Sequence, residues 1–455
     1  MKESYKHLLN YTANLITLLV EGVLFGLIWY KYYSKITIME TDIIANYHQR
    51  GNWAVIGMYI LILFFFTKVF GGYKIGYLRV GDIILSNILA LFLGNIVAYL
   101  ELVLITRTYA NPGPLFCIFL LEIIMITLWT FLVRAMYKHL YPPRDMLVVY
   151  GRYAPDDLIE KINSRKDKYN ICETVSCTIG YRRLFELMEK YPTVVLCDLP
   201  AETRNDLMKF CYQKSIRAYC TPKLTDIMFR GADDIHLFDT PLYVFRNQGL
   251  TIDQRFFKRF FDIVLSVIML VITSPFMVLI ALAIKLYDGG PVFYTQERYT
   301  RDERIFKIIK FRSMRVDSDK EEQRITGKED DRVTPVGRLI RAIHFDELPQ
   351  LFNILKGDMS IVGPRPEWRV TTEQYCEQIP EFPFRLKVKA GLTGYAQVWG
   401  KYNTTPYDKL KLDMTYIEQY SLWLDLKILM LTFKVLFMKE NTEGVDKSQT
   451  TALKK

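Results

Sequence analysis

Phe260–Ile284 reads FFDIVLSVIMLVITSPFMVLIALAI, with Lys258, Arg259 and Lys285 at its ends and Ser274-Pro275 in its middle. A helix needs ~20 apolar residues to cross a bilayer, and this run has them. Proline removes a backbone donor and clashes with the preceding turn, so a kink or break is expected at Pro275. Two topologies follow. A kinked span would carry everything after it to the far side of the membrane. A re-entrant hairpin over residues 258–286 would turn at Ser274-Pro275 and return to the side it left. The Ser274 hydroxyl is then placed to satisfy a backbone group freed by the break. A hairpin would keep the residues after it on the side of the chain that precedes it; the kinked span stays the alternative.

Upstream, four further apolar runs lie at about Leu15–Tyr33, Trp53–Phe70, Ile83–Ile105 and Leu115–Met136. Each approaches spanning length. No small-residue cleavage site follows the first, so a retained span is expected rather than a removed leader. Four spans return the chain to its starting side. The flanks Lys2/Lys6, Lys68/Lys74/Arg79 and Arg134/Lys138/Arg144 put that side in the cytoplasm, against an opposing loop with Lys31, Lys35 and Arg50. Glu21, Glu101 and Glu122 fall in or beside these spans and are read as packing or assembly residues.

Composition agrees with a chain divided between membrane and water. It has 455 residues, 50% hydrophobic and 24% charged, which excludes disorder as its main state. Mean hydropathy of +0.07 is high for a soluble protein and low for a polytopic transporter. A net charge of +10 points to anionic partners such as phosphorylated substrates, anionic lipid or nucleic acid. No nucleic-acid-binding motif is present, and much of the charge flanks apolar runs, so nucleic acid is not an expected partner. The seven cysteines form no CxxC pair, which argues against a disulfide framework or a structural zinc site.

Three regions result: a transmembrane part at 1–140, an α/β module at 141–250, and a third domain at 251–455. In the module, Met146–Tyr150 and Thr193–Cys197 are short apolar runs followed by helical patterns, which predicts a small parallel, Rossmann-like unit. The first strand leads into GRYAPDD, not G-x-G-x-x-G, so dinucleotide binding is not expected there. A structural or regulatory module is the reading.

The third domain carries the chemistry. In Phe306–Met314 (FKIIKFRSM), Lys307, Lys310 and Arg312 alternate with apolar residues at strand period. Such a strand either presents cations to a site or is a solvated face. Arg338 and Arg341 precede His344-Phe345-Asp346-Glu347-Leu348-Pro349-Gln350, and Gly363-Pro364-Arg365-Pro366 follows. A helix start with Pro349 in its first turn lets both carboxylates point near its N-terminus. Such a pair can hold a divalent metal, and one carboxylate can attack phosphorus; it can also simply cap a helix. Arginines on either side suit a diphosphate. Ser421–Lys439 reads either as an interfacial helix or as a packed one.

The blocks KRFFDIVLS, the Ser274-Pro275 break, GPVFYTQER, FKIIKFRSM, DELPQLFNILKGDMSIVGPRPE and KAGLTGYAQVWGKYN occur in order from about Lys258. To about Phe437 this stretch resembles the bacterial sugar transferase family, the monotopic polyprenyl-phosphate phosphoglycosyl transferases. The four spans and middle module are similar to its large subgroup. The resemblance implies transfer of a sugar-1-phosphate from a UDP-sugar to undecaprenyl phosphate, with release of UMP, at the start of capsular or exopolysaccharide assembly. It implies a bacterial inner-membrane protein, multi-pass, with its catalytic domain on the cytoplasmic face. It makes Asp346 the nucleophile and Glu347 the magnesium ligand. Lys310, Arg341 and Arg365 become phosphate-binding residues, and Asp413 and Tyr416 a D-x-x-Y pair beside the site. A homodimer is the assembly it allows.

Three positions depart from the family pattern. Tyr299-Thr300-Arg301-Asp302-Glu303 lacks the usual glycines, His344 stands where Ser or Thr is frequent, and Lys401 replaces a frequent arginine. They lie where donor recognition is set, so glucose or galactose is expected from the subgroup's habit alone. A catalytically idle scaffold is the competing class, and the intact carboxylate pair and basic positions argue against it.

Overall fold

A computed structural model describes residues 2–34, 44–107, 109–151, 155–245, 249–316, 330–400 and 404–437. Lys35, Lys401 and the tail after Asn441 lie outside the described residues. The chain divides into two compact units, Met1–Thr221 and Pro222–Lys455.

The first unit opens with helices α1 (Lys2–Ile28), extended by a π turn to Tyr33, α2 (Ile44–Phe70), α3 (Val80–Thr106) and α4 (Gly113–Leu140). Each packs on the next and α1 also packs on α4, which closes a bundle. Its interior holds Phe25, Tyr59, Leu63, Leu91, Leu102 and Ile126. It also holds Glu21 and Glu122, with the Tyr59 hydroxyl 3.2 Å from Glu122 Oε1 and Trp29 Nε1 donating to Asn52 Oδ1 at 2.7 Å. Leu61, Leu104, Phe116 and Leu128 point outward and are exposed. Buried carboxyls together with an exposed apolar surface reverse the order of a water-soluble bundle and suit a lipid solvent. The packing role read for Glu122 fits its bond to Tyr59.

The α/β module follows in the same unit. Strands β1 (Arg144–Tyr150), β2 (Tyr169–Ser176), β3 (Thr193–Cys197) and β4 (Arg217–Cys220) form one parallel sheet in the order β2-β1-β3-β4. Helices α5 (Asp156–Asn163), α6 (Tyr181–Met188) and α7 (Ala201–Gln213) make the crossovers. Leu147 and Val149 face one core, Met146 and Val148 another, so β1 is covered on both sides as parallel strands require. A Cβ at Gly151 would strike the Asp198 carbonyl, so this glycine serves strand packing.

The second unit begins at Pro222, not at residue 251. Helix α8 (Leu224–Phe229) and the hairpin β5 (Asp233–Leu237) and β6 (Thr240–Val244) fall within 141–250, the range expected for the module. Leu224, Ile227 and Leu250 instead join Leu351, Met359, Phe382 and Leu410 in the second unit's core.

Helix α9 spans Ile252–Asp288. It runs through Ser274 and Pro275 without the interruption expected there. Pro275 cannot donate to the carbonyl of Val271, four residues back; the Ser274 hydroxyl donates to that oxygen at 3.0 Å and takes the place of the missing amide. One face of α9 is packed along its length: Lys258, Asp262, Ser266, Met277 and Ile284 are buried. Both ends are tied to the same unit, Lys258 Nζ to Asp425 Oδ2 at 2.6 Å and Asp288 to Arg312. Phe260, Phe261, Ile268, Val271, Leu279 and Leu282 on the rest of its surface are exposed. Among the described residues it is, with α1 to α4, one of five helices long and apolar enough to cross a membrane.

After α9 come the antiparallel pair β7 (Phe293–Tyr299) and β8 (Ile305–Phe311), then α10 (Pro335–Ala342) and α11 (Gln350–Lys356). Strand β9 (Met359–Val362) pairs in parallel with β10 (Ala390–Thr393), across α12 (Arg369–Gln378). Helices α13 (Tyr395–Trp399), α14 (Pro406–Glu418) and α15 (Leu422–Leu436) complete the unit. Of the two readings for the last helix, packing is seen at Ile428 and Leu431 of α15, while Trp423, Phe433 and Phe437 at its end are exposed.

Candidate active site

Alternation along β8 decides which of its cations turns inward. Phe306 and Ile308 enter the core, and Lys310 continues their face while Lys307 lies on the other. Asn353 of α11 fixes this strand by accepting from Ile309 N at 2.9 Å and donating to Lys307 O at 2.8 Å. The acidic pair lies just before α11. His344 adopts a left-handed conformation (φ 57°), Phe345–Glu347 make a 3₁₀ turn, and Pro349 caps the helix. The expected helix start is present, with the pair in a turn ahead of it. Phe345 packs edge-on against Phe276 of α9, with ring centroids 6.2 Å apart, so the turn sits at the middle of the apolar helix.

Arg365 comes from the rigid turn after β9. Gly363 N donates to Thr393 O at 2.8 Å and Gly391 N to Pro364 O at 2.9 Å, and a Cβ on either glycine would collide with the facing backbone. Arg365 then bonds Glu347 in bidentate fashion, Nη2 to Oε1 at 2.6 Å and Nη1 to Oε2 at 3.2 Å. Lys310 Nζ reaches Oε1 at 2.7 Å. Burial opposes ionisation of Glu347, yet Arg365 and Lys310 hold its carboxyl far below the usual range.

Asp346 is treated oppositely. Among the described residues no hydrogen bond or ion pair engages its carboxyl. Burial, and then the charge of Glu347, raise it above the ordinary aspartate value, against the pull of Lys310, Arg341 and Arg365. Adjacent carboxylates pushed in opposite directions mark different jobs. Glu347 is a fixed anion that holds two cations in place, and Asp346 beside them keeps a carboxyl that no described group engages.

The structure therefore brings Lys310, Asp346, Glu347 and Arg365 together, with Arg341 in charge range. Asp413 and Tyr416 do not belong to that group. Each is 1% exposed, too buried to meet a substrate. Asp413 pairs with Arg385 at 2.7 Å, and Arg385 Nη2 donates to the backbone oxygen of Arg365 at 2.8 Å. The Tyr416 hydroxyl lies 2.8 Å from Asp425 Oδ1 and 3.2 Å from Val362 O, below the same turn. Both residues position the segment that carries Arg365. Sequence reasoning missed Arg385, Arg298, which donates to Pro366 O at 3.0 Å, and the Glu367–Lys409 pair. Arg298 and Glu367 end two of the blocks quoted above without standing out in them, and no motif covers Arg385 or Lys409. Burial and Lys409 act on Glu367 in opposite senses, and Lys409 with Arg385 prevails, bringing its carboxyl down to about 2.

A sequence profile of the family described as bacterial sugar transferase matches residues 253–439. A UDP-glucose:undecaprenyl-phosphate glucose-1-phosphate transferase of Caulobacter vibrioides is 40% identical over 189 residues, 40% of this chain and 71% of that one. A protein of the same name from Escherichia coli K12 is 43% identical over 208 residues, 44% of this chain and 43% of its own. A UDP-N-acetylgalactosamine-undecaprenyl-phosphate N-acetylgalactosaminephosphotransferase of Aeromonas hydrophila is 42% identical over 203 residues, 44% of this chain and 45% of its own. With the second unit's fold and this match, the chain belongs to the bacterial sugar transferase family. It spans less than half the length of the E. coli and A. hydrophila relatives.

Proposed function

We propose that this protein transfers a hexose-1-phosphate from a UDP-sugar to undecaprenyl phosphate and releases UMP, beginning a capsular, exopolysaccharide or related glycan. The observation that carries the reading is the division of labour in the acidic pair: Glu347 bound by Lys310 and Arg365, Asp346 unengaged beside them. In the first step an Asp346 oxygen attacks the phosphorus that bears the sugar. The bond from that phosphorus to the bridging oxygen breaks, and UMP leaves with the oxygen and its electron pair. In the second step a phosphate oxygen of the lipid acceptor attacks the phosphosugar ester, and the Asp346 carboxylate is the leaving group. Lys310, Arg341 and Arg365 neutralise the charge on the transferred group, which is most of what phosphoryl transfer asks of a protein.

Mg²⁺ is the cofactor we propose. Two adjacent carboxylates suit an ion that binds one or two of them together with substrate phosphates, and Glu347 would hold it through Oε2, which has a single contact. When bound, it would neutralise diphosphate charge beside the arginines.

We assign α1–α4 as four membrane spans and α9 as re-entrant, in a bacterial inner membrane, with the site on the cytoplasmic face where UDP-sugars are found. Support for α9 comes from its anchors: Lys258 and Asp288, near opposite ends, both bond to the second unit, and a crossing helix would have to give up one of them. The proposal of a homodimer rests on the family resemblance alone, and light scattering of the purified protein tests it. Glucose or galactose is the favoured sugar; the relatives' names include glucose and N-acetylgalactosamine.

The deciding experiment supplies solubilised protein with undecaprenyl phosphate, Mg²⁺ and a panel of UDP-sugars and measures UMP. Release with one donor supports the enzyme. No release with any donor, from protein that is folded, supports the idle scaffold.

A further inference from the structure

Away from this site, the first unit gathers basic side chains where the helix bundle meets the α/β module. Arg134 comes from the last two turns of α4; Arg165 and Lys168 come from the connection between α5 and β2. Asp167 pairs with Arg134 and, at 3.0 Å, with Arg165 Nε. Arg165 Nη1 also donates to Tyr77 O at 2.8 Å, which ties the module's turn to the loop between α2 and α3. Lys168 Nζ stands 4.3 Å from the Tyr77 ring centroid and 5.0 Å from that of Tyr169. Lys6 of α1 approaches the Tyr77 ring at 5.9 Å and the Tyr137 ring at 5.1 Å.

Arg134, Arg165, Lys168 and Lys6 thus reach one spot from three separate stretches of chain. The side chains of Arg134 and Arg165 are about four-fifths covered, at 19% and 18% exposure, so they are held in place yet open on one side. Asp167, drawn to about 2 by Arg165 and Arg134 against its burial, is a permanent anion already shared by two guanidiniums. Lys168 feels the crowding: burial, then Arg165 and Arg144, press its ammonium down to about 8, with Asp167 opposing. Tyrosine rings temper the positive charge without cancelling it. An added anion would relieve this repulsion.

We propose that Arg134, Arg165 and Lys168 form a binding site for a phosphate-bearing anion, occupied by the headgroup phosphate of an anionic phospholipid. Guanidinium forks match phosphate oxygens, and Lys168 adds a point charge. Basic pockets at the cytoplasmic ends of membrane helices sit at the height of lipid phosphates. The lipid occupant rests on the reading of α1–α4 as spans; the phosphate chemistry does not.

The test uses the full chain, delipidated in detergent. Binding of short-chain phosphatidylglycerol and of matched phosphatidylcholine is read by native mass spectrometry, and binding of inorganic phosphate by equilibrium dialysis. Arg165→Gln with Lys168→Gln should weaken phosphatidylglycerol binding about 30-fold. Lys190→Gln with Lys209→Gln, the same charge change on exposed lysines elsewhere in the module, should leave it unchanged. If the first double variant loses its melting transition, Lys168→Gln alone takes its place, with about a fivefold loss expected. Inorganic phosphate that binds the parent and displaces the lipid keeps the site and overturns the lipid as occupant. Equal phosphatidylglycerol binding by all variants, without phosphate binding, overturns the site. Extraction of the parent from cell membranes by alkaline carbonate would locate the failure in the spans instead.

Discussion

At the scale of single residues, the arrangement separates two carboxylates that neighbour each other in the chain. Asp346→Asn should abolish UMP release, because an amide does not attack phosphorus as a carboxylate does. Glu347→Gln should cut turnover by at least ~100-fold, since it releases Lys310 and Arg365 together, and its Mg²⁺ titration should shift. Near-parental turnover by folded Asp346→Asn removes the covalent step, and an unchanged titration removes Glu347 from the metal. A second residue-scale prediction concerns Glu367. Its folded pKa of about 2 lies below the ordinary glutamate value of 4.5, so its share of stability is complete above pH 4.5 and is lost as pH falls toward 2. That share is at most ~3 kcal/mol. Glu367→Gln should therefore melt lower than the parent at pH 6, with the gap closing on acidification; a constant gap would show that Lys409 and Arg385 do not depend on its charge.

At the scale of elements, the sequence showed some things plainly and hid others for physical reasons. Lys310 could be placed on a strand, but its inward direction followed only once Phe306 and Ile308 set the phase. The acidic pair and the Gly363–Pro366 turn were visible because their residues are contiguous. Arg385 was not, because it meets Arg365 across helix α12 and Asp413 across 28 positions, and no local pattern encodes that meeting. Pro275 announced a break, and the neighbouring Ser274 hydroxyl mends it. This bears on topology. Replacing both, Ser274→Ala with Pro275→Leu, restores an amide donor and removes the ring's clash with the preceding turn, which favours a straight apolar helix of spanning length. A cysteine placed at Val316, followed by peptide mapping over the native cysteines, should shift from cytosolic to external labelling in a fraction of molecules, and activity should fall by that fraction. External labelling in the parent would make α9 an ordinary span.

At the scale of the whole molecule, the division at Thr221 has a practical meaning. The units divide before the boundary expected near residue 250; Thr221-Pro222-Lys223 shows no change of composition, and only packing reveals that Leu224 and Ile227 serve the second unit's core. Deleting 145–221 should leave UMP release by membrane-inserted protein within about tenfold of the parent. Extending the deletion to 247 removes two fully packed apolar side chains, each contributing ~2 kcal/mol or more, and should abolish folding of the second unit. Equal activity of the two deletions would restore the later boundary; loss of catalysis in the shorter one would give the module a part in the reaction.

The contact between Phe276 and Phe345 has a consequence for how the proposed reaction meets its two substrates. On that proposal, with α9 lying in the bilayer and the residue before Asp346 resting against the middle of it, Asp346 keeps a constant depth relative to the lipid. The nucleotide sugar must then arrive from a volume, while the polyprenyl phosphate arrives along a plane. Encounters with the donor are counted per litre and those with the acceptor per unit area. Diluting the acceptor with other lipids should slow the second half-reaction at constant bulk concentration, while diluting whole vesicles in buffer should leave it almost untouched.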